Sequence, residues 1–225
     1  LSVALLRGAY EYQGQKCSAA SRAYVPRSLW PGVRERLLAM LADVKVGDPS
    51  DFTCFMRALI GRGAFERVTT YQALAKAEPG CKVHFGGGAD DREGFFVEPT
   101  LVEVEDPRHT LMREEIFGPL LAVFVYDDAR LDEAVSLCEG SSDYALTGAV
   151  FAEDEAALEE LSARLRFAAG NFYLNDKPTG AVVGQQPFGG GRLSGTNDKA
   201  GSAQMLLRWT SPRVIKRNFA PPRDF

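Results

Sequence analysis

Histidine is scarce in this chain, with only His84 and His109 in 225 residues. The four cysteines, Cys17, Cys54, Cys81 and Cys138, are widely and irregularly spaced and form no C-x-x-C pair. A zinc site needs clustered thiol or imidazole ligands and a disulfide framework needs dense, paired cysteines, so neither reading has support. No block of Lys or Arg is present and the formal net charge is −4, which argues against nucleic acid or an anionic membrane as main partner. No apolar run approaches a membrane span, and no Asn-x-Ser/Thr sequon occurs, so the expectation is an intracellular chain. Internal repeats and low-complexity segments are also missing. An initiating Met is absent as well: the sequence opens on Leu1 with no signal or transit peptide, and its natural start is expected further upstream.

What is present is an ordinary globular composition, 45 % hydrophobic and 25 % charged, able to bury a substantial core as one large or two small domains. Small metabolites fit such a chain better than polymers do. Arg22–Val25 reads as a short buried strand ended by Pro26. Ser28 is a candidate N-cap for an amphipathic helix in which Trp30, Val33, Leu37, Leu38 and Leu41 recur at helical spacing to about Asp43. A second helix is expected over about Arg62 to Lys76, then a strand over Cys81 to Phe85. Gly86-Gly87-Gly88 is followed by Ala-Asp-Asp-Arg-Glu, a turn, and reads as a loop and not a phosphate cradle. Phe95 to Val104 is extended around Pro99, Leu120 to Tyr126 is an apolar strand, and Leu131, Ala134, Val135 and Cys138 share one helix face. Leu146 to Phe151, Asp154 to Arg166 and Asn171 to Leu174 then read as strand, helix and strand. Such alternation implies an α/β fold in which helices cover a mostly parallel sheet. Ligands of such sheets are expected beyond the carboxyl ends of the strands. Residues 176–201 form a long loop rich in Gly, Pro, Ser and Asn, of a length that favours function. A short helix over Ser202 to Trp209 and an extended arm over Pro212 to Phe219 complete the chain.

The chemistry-bearing stretch is Glu11 to Arg22. Its lone Cys17 follows a Gly-containing loop and precedes small residues, so backbone can approach the thiol closely. A thiolate there would sit among turn amides that lower a cysteine pKa and bind an oxyanion, which suits a nucleophile. On the residues alone, the alternative is an inert, buried cysteine. Three later segments bear on the choice: Glu114-Glu115-Ile116-Phe117-Gly118-Pro119, Gly170-Asn171-Phe172-Tyr173-Leu174-Asn175 and Pro187-Phe188-Gly189-Gly190.

Together with Gly14-Gln15-Lys16-Cys17, these motifs resemble, in the same order, those of the NAD(P)-dependent aldehyde dehydrogenase superfamily, from about Tyr12 to about Lys216. The spellings Asn175-Asp176-Lys177-Pro178-Thr179-Gly180, Ser194 to Lys199 and Leu207 to Pro212 are most similar to the branch that oxidises L-glutamate γ-semialdehyde in proline breakdown. The resemblance implies that Cys17 attacks an aldehyde, that its own N–H helps hold the oxyanion, and that NAD is the cofactor. It implies that Glu115 bonds the nicotinamide ribose and Phe117 lies beside the nicotinamide. A carboxylate can accept from both ribose hydroxyls; a surface Glu is the bland reading of the residue alone, and adjacent Glu114 stays with it. Phe188 would pack the aldehyde's aliphatic stem, with core packing as the alternative. The Ser18 hydroxyl and the amides of Gly180 and Ala181 would hold the substrate's α-carboxylate, since successive N–H groups around a glycine form an anion-binding concavity. Some members of the branch carry serine where this chain has Ala181, so one hydroxyl donor is missing. Asn175 and Arg22 are expected to be structural. The Gly189-Gly190-Gly191 run lacks the strand-before, helix-after context of a dinucleotide fingerprint.

By the resemblance, residues 1–201 form a catalytic domain and 202–225 a short helix and oligomerisation arm, implying a homo-oligomer of dimer size or higher. Only sixteen residues precede Cys17. The family's Gly-rich NAD-binding segment, oxyanion-hole asparagine and general-base glutamate lie further N-terminal, so the NAD-binding domain is absent from this chain and the sequence reads as part of a longer enzyme. Without a base, thioester hydrolysis loses the ~10²–10⁴-fold typical of general acid–base catalysis, and the isolated chain is expected to be inactive or very weak. The alternatives are a noncatalytic short form acting as an oligomerisation or binding module, or a family member of other substrate range. The family's location is the mitochondrial matrix in eukaryotes and the cytoplasm in bacteria.

Overall fold

The computed structural model describes residues 1–224. Helix α1 (Ser2–Tyr10) runs through a 3-10 turn into the Cys17 loop and strand β1 (Arg22–Pro26). Helices α2 (Trp30–Ala42) and α3 (Arg62–Ala77) follow, then β2 (Cys81–Phe85), the short pair β3 (Ala89–Asp90) and β4 (Phe96–Val97), and β5 (Thr100–Val104). A single turn, α4 (Thr110–Arg113), precedes β6 (Leu120–Tyr126) and α5 (Leu131–Gly140). The remainder comprises β7 (Tyr144–Ala145), β8 (Thr147–Val150), α6 (Glu155–Arg164), β9 (Asn171–Leu174), β10 (Gly191–Arg192) and α7 (Ala203–Leu206).

The main sheet has the order β1-β6-β5-β2. Strands β1, β6 and β5 are parallel, whereas β2 runs antiparallel to β5. The expected mostly parallel sheet is found, with β2 as its one antiparallel edge. Between β2 and β5 lies only the β3–β4 hairpin, and a connection without a crossover helix returns the chain antiparallel. Strands β8 and β9, joined through α6, form a separate parallel pair. The fold is therefore α/β with a mixed, mostly parallel sheet, as expected.

Alternation along the strands builds two cores. Val25, Leu101, Leu121 and Val123 point to the face covered by α1 and α2, with Leu5, Leu6, Leu37 and Leu41. Val102, Val104, Leu120 and Ala122 point to the opposite face, with Val68 and Ala75 of α3 and Leu111, Met112 and Ile116. Side chains of a strand alternate between faces, so β6 serves both cores and is apolar almost throughout. Tyr10, fully buried, donates its hydroxyl to the Thr100 carbonyl at 3.0 Å and so ties α1 to the amino end of β5.

Ser28 does not cap α2. The cap position is Leu29, with Pro31 in the first turn, and the Ser28 hydroxyl and N–H are instead bonded to the Asp128 carboxylate across the carboxyl ends of β1 and β6. Beyond α7, residues 212–219 run as exposed chain without strand pairing, Val214 and Phe219 being 93 % and 83 % exposed. Among the described residues no helix is long and apolar enough to cross a membrane.

Candidate active site

Backbone conformation sets the Cys17 turn. Tyr12, Gln13 and Gly14 have φ of +57°, +58° and +64°, three successive left-handed residues of which only the last is glycine. Such conformations cost about 1–3 kcal/mol each for non-glycine residues and persist where their surroundings over-determine them. Here the surroundings are side-chain bonds to the segment before α3. Gln13, buried, accepts from the Arg57 N–H at 3.1 Å and donates to the Ala58 carbonyl at 3.3 Å, and Gln15 accepts from the Ile60 N–H at 3.0 Å. The turn then delivers Cys17 to solvent with its thiol exposed and free. The Cys17 N–H has no acceptor among the described residues, so that donor is uncommitted.

The second wall of the site is the loop between α4 and β6. Ile116 and Gly118 are buried in it, Phe117 adopts a φ of +57°, and Glu115 stands exposed beside them. A cleft of about 110 Å³ is lined by Lys16, Cys17, Arg22, Glu115, Phe117 and Tyr144, among others. Cys17, Glu115 and Phe117 are thus brought together from positions a hundred residues apart. Glu115 has no hydrogen-bond partner among the described residues, so its carboxylate is free to accept two hydrogen bonds. The residue set fits the nicotinamide end of a dinucleotide: a free acceptor, an aromatic side chain and an exposed thiol line one space.

This cleft lies off the amino ends of β1, β6 and β8, since Arg22, Leu120 and Thr147, the first residues of those strands, line it. The expectation of a site beyond the carboxyl ends is therefore corrected. That rule follows from loops that leave strands for helices, whereas here the reactive segments are the turns entering the strands. A larger hollow of about 480 Å³ does lie at the carboxyl ends, between Arg27, Glu105, Asp127 and Arg130, but it holds none of the predicted site residues.

The remaining predicted residues form the adjoining loop and do not line the cleft. Ser18 is buried immediately behind Cys17, its Oγ 2.7 Å from Thr179 Oγ1 in a hydrogen bond whose donor can be either group. Gly180 has a φ of +84°, and no acceptor is recorded among the described residues for its N–H or for that of Ala181. Phe188 is half-buried and its backbone pairs with Ala200 in both directions, at 2.9 and 2.7 Å. Asn171 holds this loop from below, donating to the Pro187 carbonyl at 2.9 Å and accepting from the Gly189 N–H at 3.0 Å. Lys199 adds bonds to the carbonyls of Gly170 and Gly189. Asn175 is structural, as expected: its amide accepts from and donates to the Ala152 backbone at 3.0 and 2.9 Å. Arg22 lines the cleft.

Sequence reasoning missed Gln13, Gln15, Thr179 and the cluster around Glu11. Glu11 accepts from Lys177 at 3.0 and 2.9 Å, from Lys16 at 3.2 Å and from Arg7 at 2.5 Å. Burial alone would raise its pKa, yet the bonds from Lys177, Arg7 and Lys16 outweigh that and lower it. Alternation of charge along the chain carries no trace of this cluster, because Glu11 and Lys177 are 166 positions apart.

Comparison with known proteins places these motifs. The model of the aldehyde dehydrogenase family matches residues 2–215. Delta-1-pyrroline-5-carboxylate dehydrogenase, mitochondrial, of Dictyostelium discoideum is 52 % identical over 220 residues, 98 % of this chain and 39 % of that protein. The Homo sapiens protein of the same name is 51 % identical over 221 residues, again 98 % and 39 %. The crystal structure of the Delta-pyrroline-5-carboxylate dehydrogenase from Mycobacterium tuberculosis bound with NAD superposes with a TM-score of 0.86 at 50 % identity, over 99 % of this chain and 40 % of that one. The chain spans about two-fifths of the length of these curated relatives.

Proposed function

Because the chain belongs to the aldehyde dehydrogenase family, we propose that it carries the thiol-bearing part of an NAD-dependent enzyme that oxidises L-glutamate γ-semialdehyde, formed from Δ1-pyrroline-5-carboxylate, to L-glutamate. The observation that carries the reading is the meeting of Cys17, Glu115 and Phe117 in one cleft. The names of the relatives and the NAD in the mycobacterial structure support it.

In this reading the Cys17 sulfur adds to the aldehyde carbon, forming a thiohemiacetal. The Cys17 N–H stabilises the oxygen that becomes negative; one preorganised donor of this kind is worth about 2.7–4 kcal/mol. NAD, when bound, supplies the hydride acceptor through which the Cys17 adduct becomes a thioester. Glu115 orients the ribose and Phe117 packs beside the nicotinamide ring. Water then cleaves the Cys17 thioester, returning the thiol and releasing the carboxylic acid. Ser18 and the Gly180 and Ala181 amides hold the α-carboxylate of the substrate, and Phe188 packs its methylene stem. Gly180 supports this assignment, since its left-handed conformation and uncommitted N–H suit an anion-binding concavity.

Residues 202–225 act as the oligomerisation arm of a homo-oligomer. The exposure of Trp209, Val214, Ile215 and Phe219, at 81, 93, 73 and 83 %, supports a role in covering or being covered by another subunit. The compartment is the mitochondrial matrix if the source is a eukaryote, following the mitochondrial relatives, and otherwise the cytoplasm. The test is NADH formation by the full-length protein with L-glutamate γ-semialdehyde, expected in the wild type and lost in Cys17→Ala. Equal rates in the two proteins would sink the reading.

A further inference from the structure

Glu11 is the one carboxylate among three cationic side chains, and the group it forms is half of a link between the nucleophile's turn and the loop carrying Gly180 and Ala181. Its side chain is 19 % exposed, those of Lys16 and Lys177 are 23 % and 20 %, and Arg7 lies further out at 53 %. The three cations outnumber Glu11, and the Asp176 carboxylate, which accepts from the Lys177 backbone N–H at 2.7 Å, offsets part of that excess. Lys177 Nζ bonds both oxygens of Glu11, at 3.0 and 2.9 Å. An ammonium carries three N–H donors, and among the described residues the Lys177 Nζ has no acceptor other than Glu11.

The position of Lys177 is set independently by its neighbours. Its Nζ and Cε lie 3.5 and 3.6 Å from the point where a Cβ on Gly180 would stand, so the ammonium lies against the glycine whose N–H is uncommitted. Pro178 packs over Gly8 of α1, and Thr179, buried, bonds Ser18 at 2.7 Å. The loop is therefore pinned from both sides of Pro178, by a neutral bond from Thr179 to Ser18 and an ionic one from Lys177 to Glu11.

We propose that Lys177 is a specificity-determining residue for an acidic aldehyde, its ammonium contributing to the hold on the substrate's α-carboxylate at Gly180 and Ala181, and that Glu11 is the positioning residue that keeps it there. The proposal rests on the functional reading above. Ala181 offers no hydroxyl, and amide dipoles alone give a carboxylate hydrogen bonds without a full opposite charge. A partly buried ammonium supplies that charge, and its flexible stem needs a fixed counter-ion to stop it folding onto the carboxylate site or out into solvent. Glu11 is that counter-ion, while Lys16 and Arg7 prevent Glu11 from neutralising the site.

The test is steady-state kinetics of the full-length protein and its Lys177→Gln, Lys177→Arg and Glu11→Gln variants with L-glutamate γ-semialdehyde. Pentanal, the same chain length without charges, is measured as a competitor, so that its affinity is read whether or not it is turned over. Loss of a hydrogen bond to a charged group corresponds to about a 10- to 100-fold rise in KM for the semialdehyde in Lys177→Gln. The expected kcat stays near the wild-type value, the inhibition constant of pentanal does not move, and Lys177→Arg restores most of the affinity. Glu11→Gln is expected to give a smaller rise of the same pattern. An unchanged KM in Lys177→Gln, or semialdehyde and pentanal weakened equally, would overturn the proposal and leave a purely structural link. A wild type that forms no NADH from the semialdehyde would instead remove the functional reading, and this inference with it.

Discussion

A methyl group on Gly14 would stand 2.4 Å from the carbonyl oxygen of Gly118, so the Cys17 turn and the Glu115–Phe117 loop approach each other to a distance only a glycine allows. Gly118 is confined from the other side by Val68, whose Cγ2 lies 2.3 Å from where a Cβ on Gly118 would be. The two halves of the candidate active site are thus registered by backbone contact over the α3 core. Gly14→Ala also places an L side chain at a φ of +64°. Left-handed strain of roughly 1–2 kcal/mol and overpacking of about 1–3 kcal/mol add, and a stability loss of at least about 2 kcal/mol is expected in urea unfolding. An unchanged midpoint would mean that the turn can retreat from Gly118 without loss.

Thr100, fully buried at the start of β5, is a junction of three bonds. Its Oγ1 accepts from Gln72 Nε2 at 2.9 Å and from the Gly87 N–H at 3.1 Å, and donates to the Glu98 carbonyl at 2.9 Å. Thr100→Val keeps the shape but strands two buried donors, at about 1–3 kcal/mol each. Thr100→Ser keeps the hydroxyl and loses only a methyl, for a cost near 1 kcal/mol. A thermal melt that ranks the two variants in the opposite order would refute the hydrogen-bonding account.

Glu103 gives the acid side of the stability profile. Burial pushes its pKa up, but the hydrogen bonds from His84 at 2.7 Å and Trp30 at 2.8 Å outweigh this and lower it from 4.5. A carboxylate that titrates lower in the folded protein than in the unfolded chain contributes stability at pH above 4.5, and that contribution is lost as pH falls through the folded value. Glu103→Gln is therefore expected to flatten the dependence of Tm on pH below about 5 while lowering Tm at neutral pH. Trp30 reports the transition by fluorescence, because its indole N–H is one of the two donors. A variant with the wild-type slope below pH 5 would show that other carboxylates govern acid unfolding.

Much of this architecture was legible from period alone. Leu120 to Tyr126 could be read as a buried strand because both its faces are apolar, and α2 because Trp30, Val33, Leu37, Leu38 and Leu41 recur at helical spacing. The direction of β2 was not legible, since it depends on what lies between Phe85 and Thr100 and not on the strand's own residues. Ser28 has the chemistry of an N-cap, but Asp128, a hundred positions away, takes its hydroxyl. Motif spelling anticipated that Cys17, Glu115 and Phe117 would meet in one cleft. The left-handed Tyr12 and Gln13 were not, because non-glycine residues in that conformation are held by tertiary bonds, here those of Gln13 to Arg57 and Ala58.

The cysteines offer a direct chemical test of which thiol is the nucleophile. Cys81 looks at first like a rival, with His109 Nε2 3.5 Å from its sulfur and Glu78 Oε2 2.5 Å from the same nitrogen. However, His109 Nδ1 accepts from the Leu111 N–H at 3.1 Å, so in the neutral ring the proton resides on Nε2 and is directed to the Glu78 carboxylate. That nitrogen has no lone pair to take the thiol proton. Burial and the charges of Glu78 and Glu105 push the Cys81 thiol up, and burial pushes Cys138 up, opposed by Arg22. Both are therefore poor thiolates, whereas Cys17 is exposed on a turn with an uncommitted N–H. Timed alkylation with iodoacetamide, read by peptide mass spectrometry at pH 7.5, is expected to modify Cys17 at least ~10-fold faster than Cys81 or Cys138. Glu78→Gln removes one of the raising charges and is expected to speed Cys81 without bringing it level with Cys17. Labelling of Cys81 ahead of Cys17 in the native protein would move the candidate nucleophile away from the cleft that holds Glu115 and Phe117.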